Sequence, residues 1–554
     1  MRWASAILVA GAASAPPRAN APSHPFPALA PKTKNNSFEW SDLDTSDPAQ
    51  LDELYTLLHH NYVEDDSEAF RFDYKPPFLA WALRPPGWRP EWHIGVRAAT
   101  GKKQLVGFIS AIPSSMGVNG QRVEMVEINF LCVHKKLRAK RLAPLLIREV
   151  TRRVNLRGVW QAAYTAGVVL PVPLAEARYW HRPLATRKLV DIGFSSCPAS
   201  TTLKAYEKEH RLPGPMVSGG GGKGGAAAGG AAGAGGGDAT ALLPGMRPFD
   251  PSRDADQVAA LLGTYLRTGP GVVGAGGAGG AGGAAGTDAL SSAEPARFRL
   301  APIMTPDEVA HWLGPREGVV ESWVIERRAD DPAVLRLLRG EEEDEGEEEG
   351  EGEGDGEEEE RARRRARRAA ARRAVAAARD VALAQAEAAG GDLAKAAQVA
   401  REAVAVEAGA GAAAAVSSKK AGVGGGKKGG TTTTTPSSSG GSSPILFASD
   451  LLSFYTIPSS VLNHPTHRDL RAAYGFYTVP GTHTPKALLR DALCLAKKTH
   501  HDVFNALELS DSHDTAMLRA LKFGAGDGTL RYYLYNWRAR GAPFDSADVG
   551  LVLL

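Results

Sequence analysis

The segment Val126–Val150, VEINFLCVHKKLRAKRLAPLLIREV, concentrates side chains that could hold an anion. Its apolar first part predicts a strand, Val126–Val133, and its later part predicts an amphipathic helix, Ala143–Val154, with Pro144 in the first turn. Between the two lie five cations within seven residues: Lys135, Lys136, Arg138, Lys140 and Arg141. The free N–H groups and the dipole of a helix start favour negative charge. The arrangement therefore suits phosphate groups, and the alternative is a solvated charge cluster.

Other elements that must surround this segment can be predicted from local patterns. The runs LLSFYTIPS and RYYLYNW are typical of strands, and LLRDALCLAKKTHH is typical of a helix. Asp250 and Thr305, each followed by a proline, mark the starts of two further helices. Because long surface insertions add little closure entropy, we expect these pieces to form one compact unit.

Low-complexity tracts divide the chain. Segments made almost wholly of Gly and Ala cannot bury enough apolar surface to offset the entropy of ordering them. We predict a disordered leader (1–36), a first half (37–212), a Gly/Ala linker (213–243), the start of a second half (244–328) with a Gly/Ala insertion (270–286), an acidic and basic insertion (329–443), and the remainder of the second half (444–554).

The insertion at 329–443 joins an acidic block to an Ala/Arg block. Ala and Arg are good helix formers, so helical character is expected there. The charge runs offer a surface for ribosomal RNA or for an acidic partner. The alternative is a solvated, tolerated insertion, and the composition favours that alternative.

Composition limits the class of protein. The chain has 554 residues and a formal net charge of +3, too weak a bias to indicate a nucleic-acid-binding protein. Cys132, Cys197 and Cys494 lack metal-ligand or CxxC spacing, so we expect neither a disulfide framework nor a metal site. No apolar run is long enough to predict a transmembrane helix. A short apolar run near the N-terminus resembles a targeting peptide, but a disordered leader on a cytoplasmic monomer fits the rest better.

Several motifs carry a resemblance to a known family. The spacing Arg138-x-x-Arg141-x-Ala143 resembles the pyrophosphate loop of GCN5-related acetyltransferases. EINFLCVHK (127–135) and KFGAGDG (522–528) resemble the two signatures of the N-myristoyltransferase family. Collinear blocks extend the resemblance: NYVEDD, FRFDY, WALRPPGW, YTAGVVLP, RYWHRPL, FYTIPS, NHPTH and the final GLVLL.

The resemblance implies an α+β fold with two pseudo-symmetric acetyltransferase-like (GNAT) halves in one compact unit, interrupted by disordered insertions. It implies transfer of a tetradecanoyl group from coenzyme A to the N-terminal glycine of protein or peptide substrates. The first half would bind the acyl-CoA co-substrate and the second most of the peptide, with no permanently bound cofactor.

The resemblance also assigns catalytic roles. Backbone N–H groups of Phe130 and Leu131 would form the oxyanion hole, and the carboxylate of Leu554 would be the base. Asn129 and Thr165 would hold the substrate amine. The alternatives are ordinary strand core for Phe130 and Leu131, simple packing of the C-terminal segment, and satisfied strand polar groups for Asn129 and Thr165.

Two binding sets follow from the matching positions. The acyl-CoA set is Phe130, Leu131, Cys132, Val133, Arg138, Ala139, Lys140, Arg141, Leu142 and Ala143. The peptide set is Tyr62, Glu64, Asp65, Asp66, Phe70, Phe72, Tyr179, His181, Ser459, Tyr474 and Asp527. His181 could equally be a hydrogen-bonded core histidine. A covalent acyl-enzyme on Cys132 is the lesser alternative to direct transfer, because no activating base has suitable spacing.

The sequence departs from the family in two places. The aromatic segment that normally precedes the first block is missing from 1–36, and Ala139 stands where relatives often have Ser. Two other functions stay open: an acyltransferase of the same fold with a different amine acceptor, and a non-catalytic scaffold that binds acyl-CoA or peptide.

Overall fold

The computed structural model describes residues 37–63, 69–212, 242–267, 297–339, 355–401, 444–462, 464–510 and 514–554. The strands are β1 (Phe38–Asp42), β2 (Phe70–Phe72), β3 (His93–Ala98), β4 (Leu105–Val118), β5 (Gln121–Val133), β6 (Gln161–Ala166), β7 (Ala175–Pro183), β8 (Met246–Pro248), β9 (Leu300–Pro302), β10 (Val320–Arg328), β11 (Leu446–Val461), β12 (Asp469–Val479), β13 (Val503–Leu507) and β14 (Gly524–Tyr535). The helices are α1 (Pro48–Asn61), α2 (Pro76–Leu83), α3 (Leu142–Asn155), α4 (Thr186–Asp191), α5 (Leu203–Glu209), α6 (Pro251–Tyr265), α7 (Pro306–Leu313), α8 (Pro332–Arg339), α9 (Asp355–Ala389), α10 (Pro485–Lys498) and α11 (Thr515–Ala520).

The strands form one continuous mixed sheet with the order β1-β3-β4-β5-β6-β14-β7-β13-β12-β11-β10-β8. β5 and β6 are parallel, and α3 lies between them in the sequence. β12 and β13 are likewise parallel, and α10 lies between them in the sequence. Each of these units is preceded by an antiparallel partner, β4 or β11. Two related halves therefore build the sheet, which confirms the predicted α+β class.

The halves exchange strands at the centre of the sheet. β14, from the end of the chain, pairs with β6 and β7 of the first half. β7 in turn pairs with β13 of the second half. This exchange brings the end of the sequence beside the strands of the first half.

Local signals explain several element starts. Thr305 caps α7: its hydroxyl accepts from Glu308 N at 3.3 Å, and the Glu308 carboxylate accepts from Thr305 N at 2.7 Å. Asp250 accepts from Ser252 N at 3.0 Å and caps α6. The helix predicted at Ala143–Val154 is observed as α3, Leu142–Asn155. The starts of α6 and α7 are therefore set by a short capping side chain and a proline within a single turn.

The insertion at 329–443 is not simply solvated. Helix α9 packs on α6 and β11, and Ala370, Ala374 and Ala378 are fully buried there. The side chain of Arg379 is buried and donates to the main-chain oxygen of Ala329 at 2.8 Å. Small side chains let the helix approach α6 closely. Composition alone does not show whether the alanines of such a helix are buried. The interpretation of the insertion as solvated is therefore wrong for the buried face of α9.

The remaining low-complexity predictions concern residues outside the described ranges. The leader 1–36, the Gly/Ala tracts within 213–241 and 268–296, and the insertion segments 340–354 and 402–443 belong to this group. Among the described helices, none has the length and apolar character needed to cross a membrane.

Candidate active site

A bulge in β5 shapes the centre of the site. Asn129 lies opposite Ser110 and Cys132 opposite Phe108, so Phe130 and Leu131 together face a single residue of β4. An extra residue of this kind interrupts the ladder of hydrogen bonds. Phe130 has a φ of 55°, which is unfavourable for a residue with a side chain. Its N–H group donates to its neighbour Asn129 Oδ1 at 2.8 Å.

Buried aromatic packing holds Phe130 in this conformation. The Phe130 side chain is 1% exposed. Its ring lies 5.5 Å from that of Tyr74, edge on, and 5.9 Å from that of Tyr62. The strain of the bulge, of the order of 1–3 kcal/mol, is therefore offset by core contacts.

The last residue of the sequence lies at this bulge. Asn129 Nδ2 donates to the terminal oxygen of Leu554 at 2.6 Å, across 425 positions of sequence. Thr165 on β6 and Leu553 line the same pocket, together with Ser110, Ile112 and Trp312. The structure thus brings Asn129, Phe130, Thr165 and Leu554 together.

Packing fixes the C-terminal segment. Leu551 and Leu553 are buried, and Gly550 N donates to Leu300 O at 2.7 Å. A Cβ atom on Gly550 would lie 3.0–3.3 Å from Leu266, Phe298 and Ala301. The packing of this segment therefore holds the terminal carboxylate of Leu554 in the pocket.

A second carboxyl group, Glu127, also lines this pocket. Ser114 Oγ donates to Glu127 Oε1 at 2.9 Å. Burial raises the pKa of Glu127 to about 7, although the Ser114 hydrogen bond opposes the rise. Glu127 begins the EINFL motif, but no role for it was predicted from the sequence.

The basic turn is a short 3-10 helix, Lys135–Lys140, followed by Arg141 at a φ of 58°. Lys136, Lys140 and Arg141 are exposed at the start of α3. Asn61, at the end of α1, anchors the turn: its Oδ1 accepts from Lys135 N at 3.0 Å and its main-chain oxygen accepts from Arg138 Nη2 at 2.7 Å. Cations thus lie beside the first free N–H groups of a helix.

The remaining members of the acyl-CoA set surround this turn. Cys132, Val133 and Leu142 are buried, Leu131 and Ala143 are half-buried, and Ala139 is exposed. Burial raises the pKa of the Cys132 thiol to about 12. The thiol therefore stays protonated near neutral pH.

The predicted peptide residues line up along neighbouring strands. Ser459 of β11 is opposite Phe72 of β2 in the sheet. Tyr474 of β12 and His181 of β7 flank Asn505 of β13. The other described residues of the peptide set are Tyr62 after α1, Phe70 on β2, Tyr179 on β7 and Asp527 on β14. The remaining three, Glu64, Asp65 and Asp66, lie outside the described residues.

Aromatic contacts join these positions to the bulge. Tyr74 lies between Tyr62, Phe72 and Phe130, with ring centroids 5.5–5.8 Å apart. Phe194 contacts Phe70 at 5.8 Å and His181 at 5.5 Å. Contacts between aromatic rings therefore connect Phe72 of β2 to the bulge at Phe130, and Phe70 of β2 to His181 of β7.

Asn505 is a site residue that sequence reasoning missed. Its Oδ1 lies 2.7 Å from His181 Nδ1, and its side chain also hydrogen bonds Tyr474. Burial lowers the pKa of His181, and the charge of Asp527 opposes this. A single amide inside the apolar strand VFNAL was the available signal, because buried polar groups need partners.

Two halves of an acetyltransferase-like sheet, with a basic loop at a helix start and a polar pocket beside a strand bulge, define an acyltransferase class. Family models described as the N-terminal and C-terminal domains of myristoyl-CoA:protein N-myristoyltransferase match residues 27–177 and 447–552. The chain is 38% identical over 524 residues to glycylpeptide N-tetradecanoyltransferase 2 of Bos taurus, covering 94% of this chain and 70% of that relative. It is 34% identical over 526 residues to the glycylpeptide N-tetradecanoyltransferase of Drosophila melanogaster, covering 95% and 74%.

A solved structure agrees with these matches. The crystal structure of Saccharomyces cerevisiae N-myristoyltransferase with bound myristoyl-CoA has a TM-score of 0.60 and 28% identity, covering 98% of this chain and 94% of that chain. The chain belongs to the myristoyl-CoA:protein N-myristoyltransferase family.

Proposed function

We propose that this protein transfers a tetradecanoyl group from coenzyme A directly to the N-terminal glycine amine of proteins. Membership of the family supports the reaction. The observation that carries the mechanism is the 2.6 Å contact between Asn129 Nδ2 and Leu554 O beside the bulge at Phe130. That contact puts a carboxylate, an amide and a distorted strand within one pocket.

The base is the α-carboxylate of Leu554. A glycine ammonium placed between Asn129, Thr165 and Leu554 gives one proton to that carboxylate, and the neutral amine attacks the thioester carbonyl carbon. The C–N bond forms, the C–S bond breaks, and the second amine proton leaves with the coenzyme A sulfur. Positioning counts for most, because an α-carboxylate with an ordinary pKa of about 3.5 is a weak base.

The oxyanion hole is formed by the N–H groups of Phe130 and Leu131. Asn129 Oδ1 accepts from the Phe130 N–H group in the structure, at 2.8 Å. When Asn129 turns its oxygen to the substrate ammonium, that N–H group becomes free to donate to the developing oxyanion. One such donor contributes roughly 3 kcal/mol.

The two substrates approach from different elements. The cations of 135–141 and the start of α3 suit the phosphates of coenzyme A, and the aromatic side chains of β2, β7 and β12 suit a peptide. Direct transfer is favoured over an acyl-cysteine, because the raised pKa of Cys132 leaves little thiolate to act as a nucleophile.

The deciding experiment measures label transfer from radioactive tetradecanoyl-CoA to a Gly-Ser peptide. We expect transfer to the free amine and none to the same peptide after N-acetylation. Binding of acyl-CoA without transfer would indicate the scaffold, and transfer to lysine or a small amine would indicate the other acyltransferase. A cytoplasmic location, a monomeric state and ribosome association through the insertion stay predictions.

A further inference from the structure

The pocket at the end of the chain contains two carboxyl groups. Glu127 lies two residues before Asn129 on β5, so both side chains leave the strand on one face. Glu127 and Leu554 line the same pocket as Asn129 and Thr165. The mechanism proposed above gives Glu127 no part.

Two acidic groups, Glu308 and Tyr477, interact electrostatically with Glu127. Burial is the main cause of the raised pKa of Glu127, and the charge of Glu308 on α7 adds to it. Burial also raises the pKa of the Tyr477 phenol on β12, and the charge of Glu127 adds to that rise. The terminal carboxylate of Leu554 enters from the C-terminal segment. The hydrogen bond from Ser114 of β4 lowers the pKa of Glu127 and so partly offsets the effects of burial and of Glu308.

Two carboxyl groups that line one pocket do not ionise independently. The first proton leaves readily, and the second is held more tightly because both groups would then be negative. An isolated α-carboxylate is too acidic to hold a glycine proton well, since its ordinary pKa is about 3.5. A second carboxylate nearby strengthens it as a base.

We propose that Glu127 and the α-carboxylate of Leu554 form a coupled pair, in which Glu127 raises the proton affinity of the terminal base. This inference rests on the proposed function. With both groups ionised, the ammonium N–H bond breaks and an O–H bond forms on the Leu554 carboxylate. The pair then holds one proton, which passes to solvent after the amide bond has formed. Glu127 acts through Leu554 and is therefore a positioning residue.

The test is the pH dependence of single-turnover transfer with saturating acyl-CoA and peptide. The active form has both carboxyls ionised, so the rate of the unmodified chain falls as pH drops through about 7. Glu127→Gln keeps the shape and the Ser114 contact but removes the charge. We expect its acid limb to lie at least one pH unit lower, and its maximal rate to fall about tenfold because the base is weaker.

Ser114→Ala gives an independent test in the opposite direction. The Ser114 hydrogen bond lowers the pKa of Glu127, so its removal raises that pKa. The acid limb should therefore move to higher pH. A structural defect would lower the rate at every pH without moving the limb, and this second variant keeps the test valid if Glu127→Gln folds poorly.

Glu124→Gln is the matched control, because Glu124 lies on the same strand but is exposed and paired with Arg122. Its rate and pH profile should equal those of the unmodified chain. An acid limb at the same pH in the unmodified chain, Glu127→Gln and Ser114→Ala would overturn the pairing while leaving the transfer function intact. Absence of transfer by the unmodified chain would overturn both.

Discussion

Adding one glycine after Leu554 should abolish most turnover while leaving acyl-CoA binding unchanged. The terminal oxygen lies 2.6 Å from Asn129 Nδ2. One added residue displaces the carboxylate by about 3.5 Å, which is more than a hydrogen bond can tolerate. A peptide carbonyl then stands where the base should be.

The size of the effect follows from the role of the group. A positioned general base contributes roughly 100- to 10,000-fold, or about 2.7–5.5 kcal/mol of transition-state stabilisation. The basic turn at 135–140 and the start of α3 are separate from the C-terminal segment, so acyl-CoA affinity should change less than twofold. Deletion of Leu553 and Leu554 should be at least as severe, because it also removes buried Leu553.

The assay is single-turnover transfer from labelled tetradecanoyl-CoA, with the acyl-CoA dissociation constant measured by calorimetry on the same preparations. A C-terminal amide, introduced by peptide ligation, keeps the carbonyl oxygen that accepts from Asn129 but removes the charge, and it serves as the matched variant. Leu554→Met, which retains the carboxylate, is the control and should turn over within a few-fold of the unmodified chain. Turnover at the unmodified rate by the extended or amidated chain would refute the role of this carboxylate.

Three further outcomes are expected. Cys132→Ala should transfer the acyl group at nearly the unmodified rate, because the Cys132 pKa is raised to about 12; a loss of 100-fold or more in rapid-quench measurements would favour an acyl-cysteine. Asp450→Ala should lower the free energy of unfolding by about 3 kcal/mol or more in urea titrations, since three main-chain N–H groups lose a buried charged acceptor; a change below 1 kcal/mol would contradict this account. Ala374→Glu should lower the melting temperature by several degrees because it puts a charge against the core, whereas the exposed Ala384→Glu should not; equal effects would argue against docking of α9.

The sequence predicted the elements around the site better than the site itself. The apolar run before Lys135 and the proline at 144 were enough for β5 and α3, because both signals act within a few residues. The bulge depends on how β5 pairs with β4, and no local pattern reports that register. The contact between Asn129 and Leu554 joins distant parts of the chain, so only the family resemblance suggested it. For α9, composition misled: a solvated Ala/Arg helix and one that buries its alanines have the same residues.

The second half of the fold shows why two related halves can serve one reaction. The loop between β12 and α10 corresponds to the basic turn between β5 and α3, yet its N–H groups at Gly481, Thr482 and His483 each donate to Asp450 Oδ1 at 2.9 Å. Although burial alone would raise it, the pKa of Asp450 is held below its usual value by His483, Ser449 and Thr482. Because the Asp450 carboxylate accepts hydrogen bonds from all three N–H groups, these groups are not free to bind an external phosphate.

The C-terminal segment of the chain also lies beside the parallel strands β12 and β13 of the second half. β12 and β13 pair only over Ala472–Tyr474 and Val503–Asn505. Beyond that point, Val549, Gly550 and Val552 of the C-terminal segment line one pocket together with Tyr477 and Leu507. In the first half, the corresponding region beyond the β5–β6 pairing carries the bulge and the exposed cations. The C-terminal segment thus contacts the second half at Tyr477 before its last residue reaches Asn129 of the first half. Deletion of the C-terminal segment would therefore remove its contacts with the second half and also the proposed base beside Asn129 of the first half.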